Sequence, residues 1–154
     1  MKILVLAALM VLLAAAAAEA STPTSYRVEV NWLCRSYTPA GKRLEAQMKK
    51  AQAADDYVTW SIALGRLLRV DLEQDTRIEA VPVPGALAAE MTPILERTRT
   101  IDRHIRAAVA DLRAGRSQAM LGELLATGNL AKPLDARLGA AGLWDCGAKS
   151  SEPD

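Results

Sequence analysis

A chain of 154 residues is long enough for one ordinary domain and too short for two. It is 51% hydrophobic and 24% charged, with only 4% aromatic residues and no Phe. The formal net charge of +1 carries no basic excess of the kind that binds a phosphate backbone, so no nucleic-acid partner is expected. Ala, Leu and Arg are abundant and β-branched residues sparse, which favours helix over sheet.

The N-terminal stretch has its own logic. Lys2 precedes an unbroken apolar run from Ile3 to Ala18, and Ala18-Glu19-Ala20 then offers small residues where a signal peptidase reads them. A charged start, an apolar middle and an A-x-A end predict a secretory signal peptide over residues 1–20, with the mature chain beginning at Ser21. The competing reading is a retained anchor, but the run falls short of the ~20 residues that a membrane span needs. Contact with the membrane is therefore expected only in transit, and the destination is the periplasm or the extracellular space. No Cys stands at the cleavage point to carry a lipid.

Export places the two cysteines, Cys34 and Cys146, in an oxidising compartment, where a disulfide is expected. Metal binding is the weaker reading, because no His or second Cys lies near either one. The bridge would close most of the domain, a constraint of about 4–5 kcal/mol on the unfolded chain.

Between the cysteines, apolar residues recur in steps of three and four. Val30, Leu33, Cys34, Tyr37, Gly41, Leu44, Met48 and Ala51 form one stripe, predicting a helix from Tyr26 to Ala53 bent at Pro39. Ala54-Asp55-Asp56 is a weak boundary without Gly or Pro. Asp56 is a candidate N-cap, and a continuous helix through residues 51–57 is the alternative. The second stripe runs Tyr57, Trp60, Leu64, Leu67, Leu68, Leu72 and Ile78. Val81-Pro82-Val83-Pro84-Gly85 breaks the chain, and a third helix follows from Ala86 to Ala114, stopped by Gly115. Ser117 is the expected N-cap of a fourth helix, interrupted by Pro133 and weakened by Gly139 and Gly142.

Four amphipathic segments with short links predict an all-α, up-down-up-down four-helix bundle over residues 21–147, closed by the disulfide. A disordered tail is expected over 148–154. In that topology the start of helix one and the end of helix four share one end. Trp32 and Trp144 are expected to shield the sulfurs, and Trp60 to lie at the opposite end.

Leu33-Cys34, Pro82 and Pro84 with Gly85, Arg113-Ala114-Gly115 and Gly142-Leu143-Trp144-Asp145-Cys146-Gly147 form a pattern over about residues 28–147. It resembles a group of uncharacterised exported proteins, frequent in actinobacteria, with a Cys in the first mature helix and a late Leu-Gly-Leu-x-x-Cys-Gly ending. Ala141 departs from the usual Leu, and the link after helix one is unusually short. The resemblance implies an exported, disulfide-closed helical bundle and no known activity.

Candidate sites are few. His104, the only histidine, borders the third stripe and is expected to be solvated or hydrogen-bonded. A haem reading would pair it with Met48 or Met91. Asp71, Glu73 and Asp75 are expected to diverge around their helix as a solvated face, and Asp55-Asp56 to need no metal. No Glu-x-x-His, Gly-x-Ser-x-Gly or Cys-x-x-Cys is present. Arg97, Arg99, Arg103, Arg106 and Arg113 make helix three basic, offset by Glu96, Asp102 and Asp111. No catalytic, cofactor-binding or metal-ligating residue is therefore expected, and Cys34 and Cys146 are the only site residues. The expected function is a non-enzymatic binding or structural module of the cell envelope with a protein or envelope partner. The alternative is a small-ligand or haem carrier, with room left by Gly41 and Gly128 on the buried stripes.

Overall fold

The computed structural model describes residues 21–147; the expected signal peptide, 1–20, and the expected tail, 148–154, lie outside the described residues. Among the described residues the fold is all-α, with four helices: α1 Pro23–Ala53, α2 Tyr57–Glu79, α3 Ala88–Arg113 and α4 Ser117–Ala140. Two short 3-10 turns, Gly85–Leu87 and Trp144–Cys146, flank α3 and follow α4.

The helix ends show why the chain breaks where it does. The Ser25 N–H donates to the Thr22 hydroxyl and the Thr22 N–H donates to the Ser25 hydroxyl, a reciprocal cap. Pro23 occupies the first turn, where its missing N–H costs nothing. Those signals start α1 ahead of the expected Tyr26, and the helix runs through Pro39 unbroken.

Helices α1, α3 and α4 finish alike. In each, the N–H two residues beyond the cap reaches back to a carbonyl of the last turn: Asp56 to Ala51, Arg116 to Asp111 and Leu143 to Leu138. The residue between must turn left-handed, at φ 52° for Asp55, 69° for Gly115 and 77° for Gly142. Residues 51–57 are thus a turn, and Asp56 caps α2 by accepting the Thr59 N–H at 3.0 Å. Ser117 is not the cap of α4 but its first residue; Arg116 precedes it without a side-chain cap.

Short links force neighbouring helices antiparallel. Helices α1 and α2 form one hairpin and α3 and α4 another, and the hairpins meet chiefly through α2 and α3. The circuit closes on the other side through the C-terminal turn, which packs on α1 and carries the Cys34–Cys146 disulfide, with 5.1 Å between the Cα atoms. Arg27, Asn31 and Arg35, one turn apart on α1, clasp the same segment. Arg27 Nε donates to the Ala141 carbonyl at 2.7 Å and Asn31 Nδ2 to that of Gly142 at 2.9 Å. Asn31 Oδ1 accepts the Asp145 N–H at 3.1 Å, and Arg35 pairs with the Asp145 carboxylate at 3.1 Å.

The core runs through Tyr26, Val30 and Leu33 of α1, Leu64 and Leu68 of α2, Met91, Ile94, Ile101 and Ile105 of α3, Met120 and Leu134 of α4, and Leu143. Burying each large aliphatic side chain contributes roughly 1.5–3 kcal/mol. Three expectations fail at the margins. Tyr57 is exposed, because it begins α2 where the hairpin ends. Trp32 and Trp144 are also exposed, at 58% and 70%, so the aliphatic core and the clasp bury Cys34 rather than the indoles. Among the described residues, no helix is long and apolar enough to cross a membrane.

Candidate functional site

A cavity of about 280 Å³ lies between the two hairpins. Helix α3 supplies Met91, Ile94, Leu95, Ile101 and Ile105; α4 supplies Ala131, Leu134 and Leu138; Ile78, Val30 and Leu143 complete the apolar wall. Asp71, Gln74 and Asp75 enter from α2 and Asp135 from α4, so three carboxyl groups face an otherwise largely apolar space.

This corrects the expectation that Asp71, Glu73 and Asp75 diverge without consequence. Residues two apart on a helix do point different ways, and Glu73 faces outward to the Tyr37 hydroxyl and to Arg77. Residues four apart share a face, and Asp71 and Asp75 both line the cavity. Asp102 of α3 joins them. It is only 7% exposed, and its Oδ1 has no hydrogen-bond partner among the described residues. Its Oδ2 lies 3.6 Å from Arg106, whose side chain is 61% exposed.

Three carboxyls in such a place cannot all ionise cheaply. Burial pushes Asp75 up to about 8, helped by its hydrogen bond to Asp102 and by the charges of Asp102, Asp71 and Glu79. Burial pushes Asp71 up to about 6, with Glu45 and Asp102 adding repulsion. Asp102 is also raised by burial, but its hydrogen bond with Asp75 and the charge of Arg106 act the other way. Arg106 therefore favours the charge on Asp102 and leaves the proton on Asp75, and the contact between the two carboxyls is a hydrogen bond only while that proton is held.

The other sequence candidates fall elsewhere. His104 Nδ1 lies 2.6 Å from Glu123 Oε2, joining α3 to α4. It does not line the cavity, and neither does Met48; only Met91 of the haem candidates does, so no His–Met pair faces this space. Gly41 meets Leu67 at ordinary contact distance, and Gly128 is exposed, so neither makes the room. Arg99 pairs with Glu79, which occupies part of the basic face of α3. Three larger hollows gather no group of carboxyls: about 490 Å³ beside Tyr57, with Arg69 and Arg113; about 440 Å³ beside Trp144, with Lys132 and Asp135; and about 430 Å³ between α1 and α2, with Arg43, Arg66, Arg69 and Glu73. Among the described residues, no three His, Cys, Asp or Glu side chains are placed to hold a metal ion.

A signal for the acid face was present in the sequence. Asp71 lies seven residues from both Leu64 and Ile78, Asp75 seven from Leu68, and Asp102 seven from Leu95 and Val109. Two helical turns separate each pair, so these carboxylates sit in phase with apolar stripes. Comparison with known proteins adds no constraint: no family model, curated protein or solved structure matches the chain.

Proposed function

We propose that this protein is an exported, non-enzymatic binding module that holds a small ligand in the cavity between its hairpins. The observation that carries the reading is a cavity of about 280 Å³ with apolar walls and a few convergent polar groups, the usual anatomy of a small-molecule site. Export is supported by the leader-like sequence before Ser21 and by a disulfide, which suits an oxidising compartment. Membership of the exported actinobacterial-type group remains part of this proposal, resting on the motif around Cys34 and Cys146.

A second reading, docking to a protein or envelope partner, rests on a different feature. Val28 and Trp32, one turn apart on α1, are 62% and 58% exposed, and Trp144 is 70% exposed at the same end. Native mass spectrometry of the protein purified from its own envelope, without reductant and with thiols blocked, separates the two. The expected result is a chain starting at Ser21, unlabelled at both cysteines, with a small molecule bound one to one. A bare chain that co-purifies with a polypeptide held through the Trp32–Trp144 end would replace the ligand reading with the docking one.

A further inference from the structure

The chemistry of the cavity narrows its ligand. Its lining includes Asp71, Asp75 and Asp135 and no Lys, Arg or His. Behind Asp75 stands Asp102, more than nine-tenths buried, with an oxygen that no described donor satisfies. A buried acceptor left unpaired is costly, and so is a second negative charge beside it. The cationic side chain beside this group is Arg106, and it reaches Asp102 from the solvent side at 3.6 Å. Among the described residues that line the cavity in front of Asp75, none is cationic.

We infer that the cavity receives an amphipathic organic cation, with its ammonium head against Asp71 and Asp75 and its apolar body along the Ile94, Ile101 and Leu138 wall. This rests on the cavity being the ligand site. A bare metal ion fits poorly, because the aliphatic wall cannot replace a hydration shell and no three-ligand set is placed for one among the described residues. An anion would meet the Asp71 and Asp75 carboxyls head on. A neutral amphiphile would fill the apolar volume and leave the carboxyl pair as it is.

Binding of such a cation is coupled to a proton. The empty site holds Asp75 protonated at neutral pH, since its carboxyl is raised to about 8. An arriving ammonium stabilises the carboxylate, so the cation enters and Asp75 loses its proton to solvent; Asp71, Asp75 and the cation then carry one net negative charge, as Asp71 does in the empty site at neutral pH. The groups that set this balance are Glu45 of α1, Asp71 and Glu79 of α2, Asp102 and Arg106 of α3. Asp135 faces the same cavity from α4.

Calorimetric titration of the oxidised protein with octyltrimethylammonium, octyl sulfate and n-octanol, all below their micelle concentrations, tests this. The quaternary head cannot itself titrate, so any proton released comes from the protein. The expected result is affinity for octyltrimethylammonium about tenfold or more above that for n-octanol, with octyl sulfate weakest. At about pH 7 the heat should vary with buffer as a proton is released. In Asp75→Asn, and separately in Asp71→Asn, the preference for the cation should shrink while n-octanol still binds. Equal binding of the cation and n-octanol overturns the cation inference and leaves the cavity as a ligand site. No binding by any of the three removes the cavity reading itself. If Asp75→Asn does not fold, Asp71→Asn and the three-ligand series on the parent decide the matter.

Discussion

At the clasp, Asn31 spends both ends of its amide on the C-terminal turn, Arg27 and Arg35 hold the residues on either side of it, and the disulfide lies one turn away. Beside the cavity that Cys146 also lines, where α2 meets α3, Asp71, Asp75 and Asp102 crowd together with the exposed Arg106 beside them and one oxygen unsatisfied. Both regions hold the first hairpin to the second or to the turn that follows it. The first does so with complementary partners and a covalent bond. The second does so with like groups that tolerate each other only while partly protonated. The difference teaches that stability is concentrated at the closed end, and that the α2–α3 face is kept at a cost to the fold. A group maintained at such a cost is a better functional candidate than one that pairs well.

The clasp is broken most severely by removing its sulfurs. The bridge spans a sequence separation of 112, and a loop of that size corresponds to roughly 4–5 kcal/mol of lost chain entropy. The double change Cys34→Ala and Cys146→Ala is expected to lower the unfolding free energy by about that amount, measured by urea denaturation. A loss below about 1 kcal/mol would mean that packing of Leu143 and Val30 holds the end shut without the bridge.

The acid face is sharpened by neutralising Asp75. Its folded pKa, about 8, lies above the ~3.9 of an unfolded Asp. Between those values the folded state binds the extra proton, so stability falls as pH rises through that window and the full penalty applies above about 8. Asp71 acts in the same direction up to about 6. The parent should therefore unfold at a higher temperature near pH 5 than near pH 9, opposite to a protein held by well-paired carboxylates. Asp75→Asn should flatten that slope and, at about pH 9, gain about 1–3 kcal/mol, less than the whole shift because the group borders a cavity that water can enter. An unchanged slope in the variant would place the titrating group elsewhere.

These two regions were unequally legible in the sequence. The closed end was: Cys34 on a buried stripe, Gly142 before Leu143 and an even number of helices joined by short links lead to a bundle whose two ends meet. The α1–α2 boundary was only half legible, because the left-handed position that Gly115 and Gly142 mark elsewhere is filled by Asp55, which carries no such signature. The acid face was passed over for a different reason. Steps of two between Asp71, Glu73 and Asp75 suggest scatter, whereas the seven-residue phase with Leu64, Leu68 and Ile78 places two of the three inward. Asp102 looked like a counter-charge to the arginines of α3, and only the packing of α3 on α2 reveals that it also meets Asp75.

The smallest test asks how much of the clasp is polar rather than covalent. Asn31→Ala leaves the Gly142 carbonyl and the Asp145 N–H without their partner in a part-buried place, an expected loss of about 1–2 kcal/mol in urea denaturation of the oxidised protein. The informative quantity is the same change made in the protein lacking the disulfide. Asn31 can grip the turn only if the turn is already held against α1, because ordering a free tail would cost about as much as the two hydrogen bonds return. Its contribution should therefore fall toward zero once Cys34 and Cys146 are gone, a coupling of at least ~1 kcal/mol between the sites. If Asn31→Ala costs as much in the absence of the bridge as in its presence, the hydrogen bonds position the turn and the disulfide merely locks it. The order of dependence at the closed end would then be reversed.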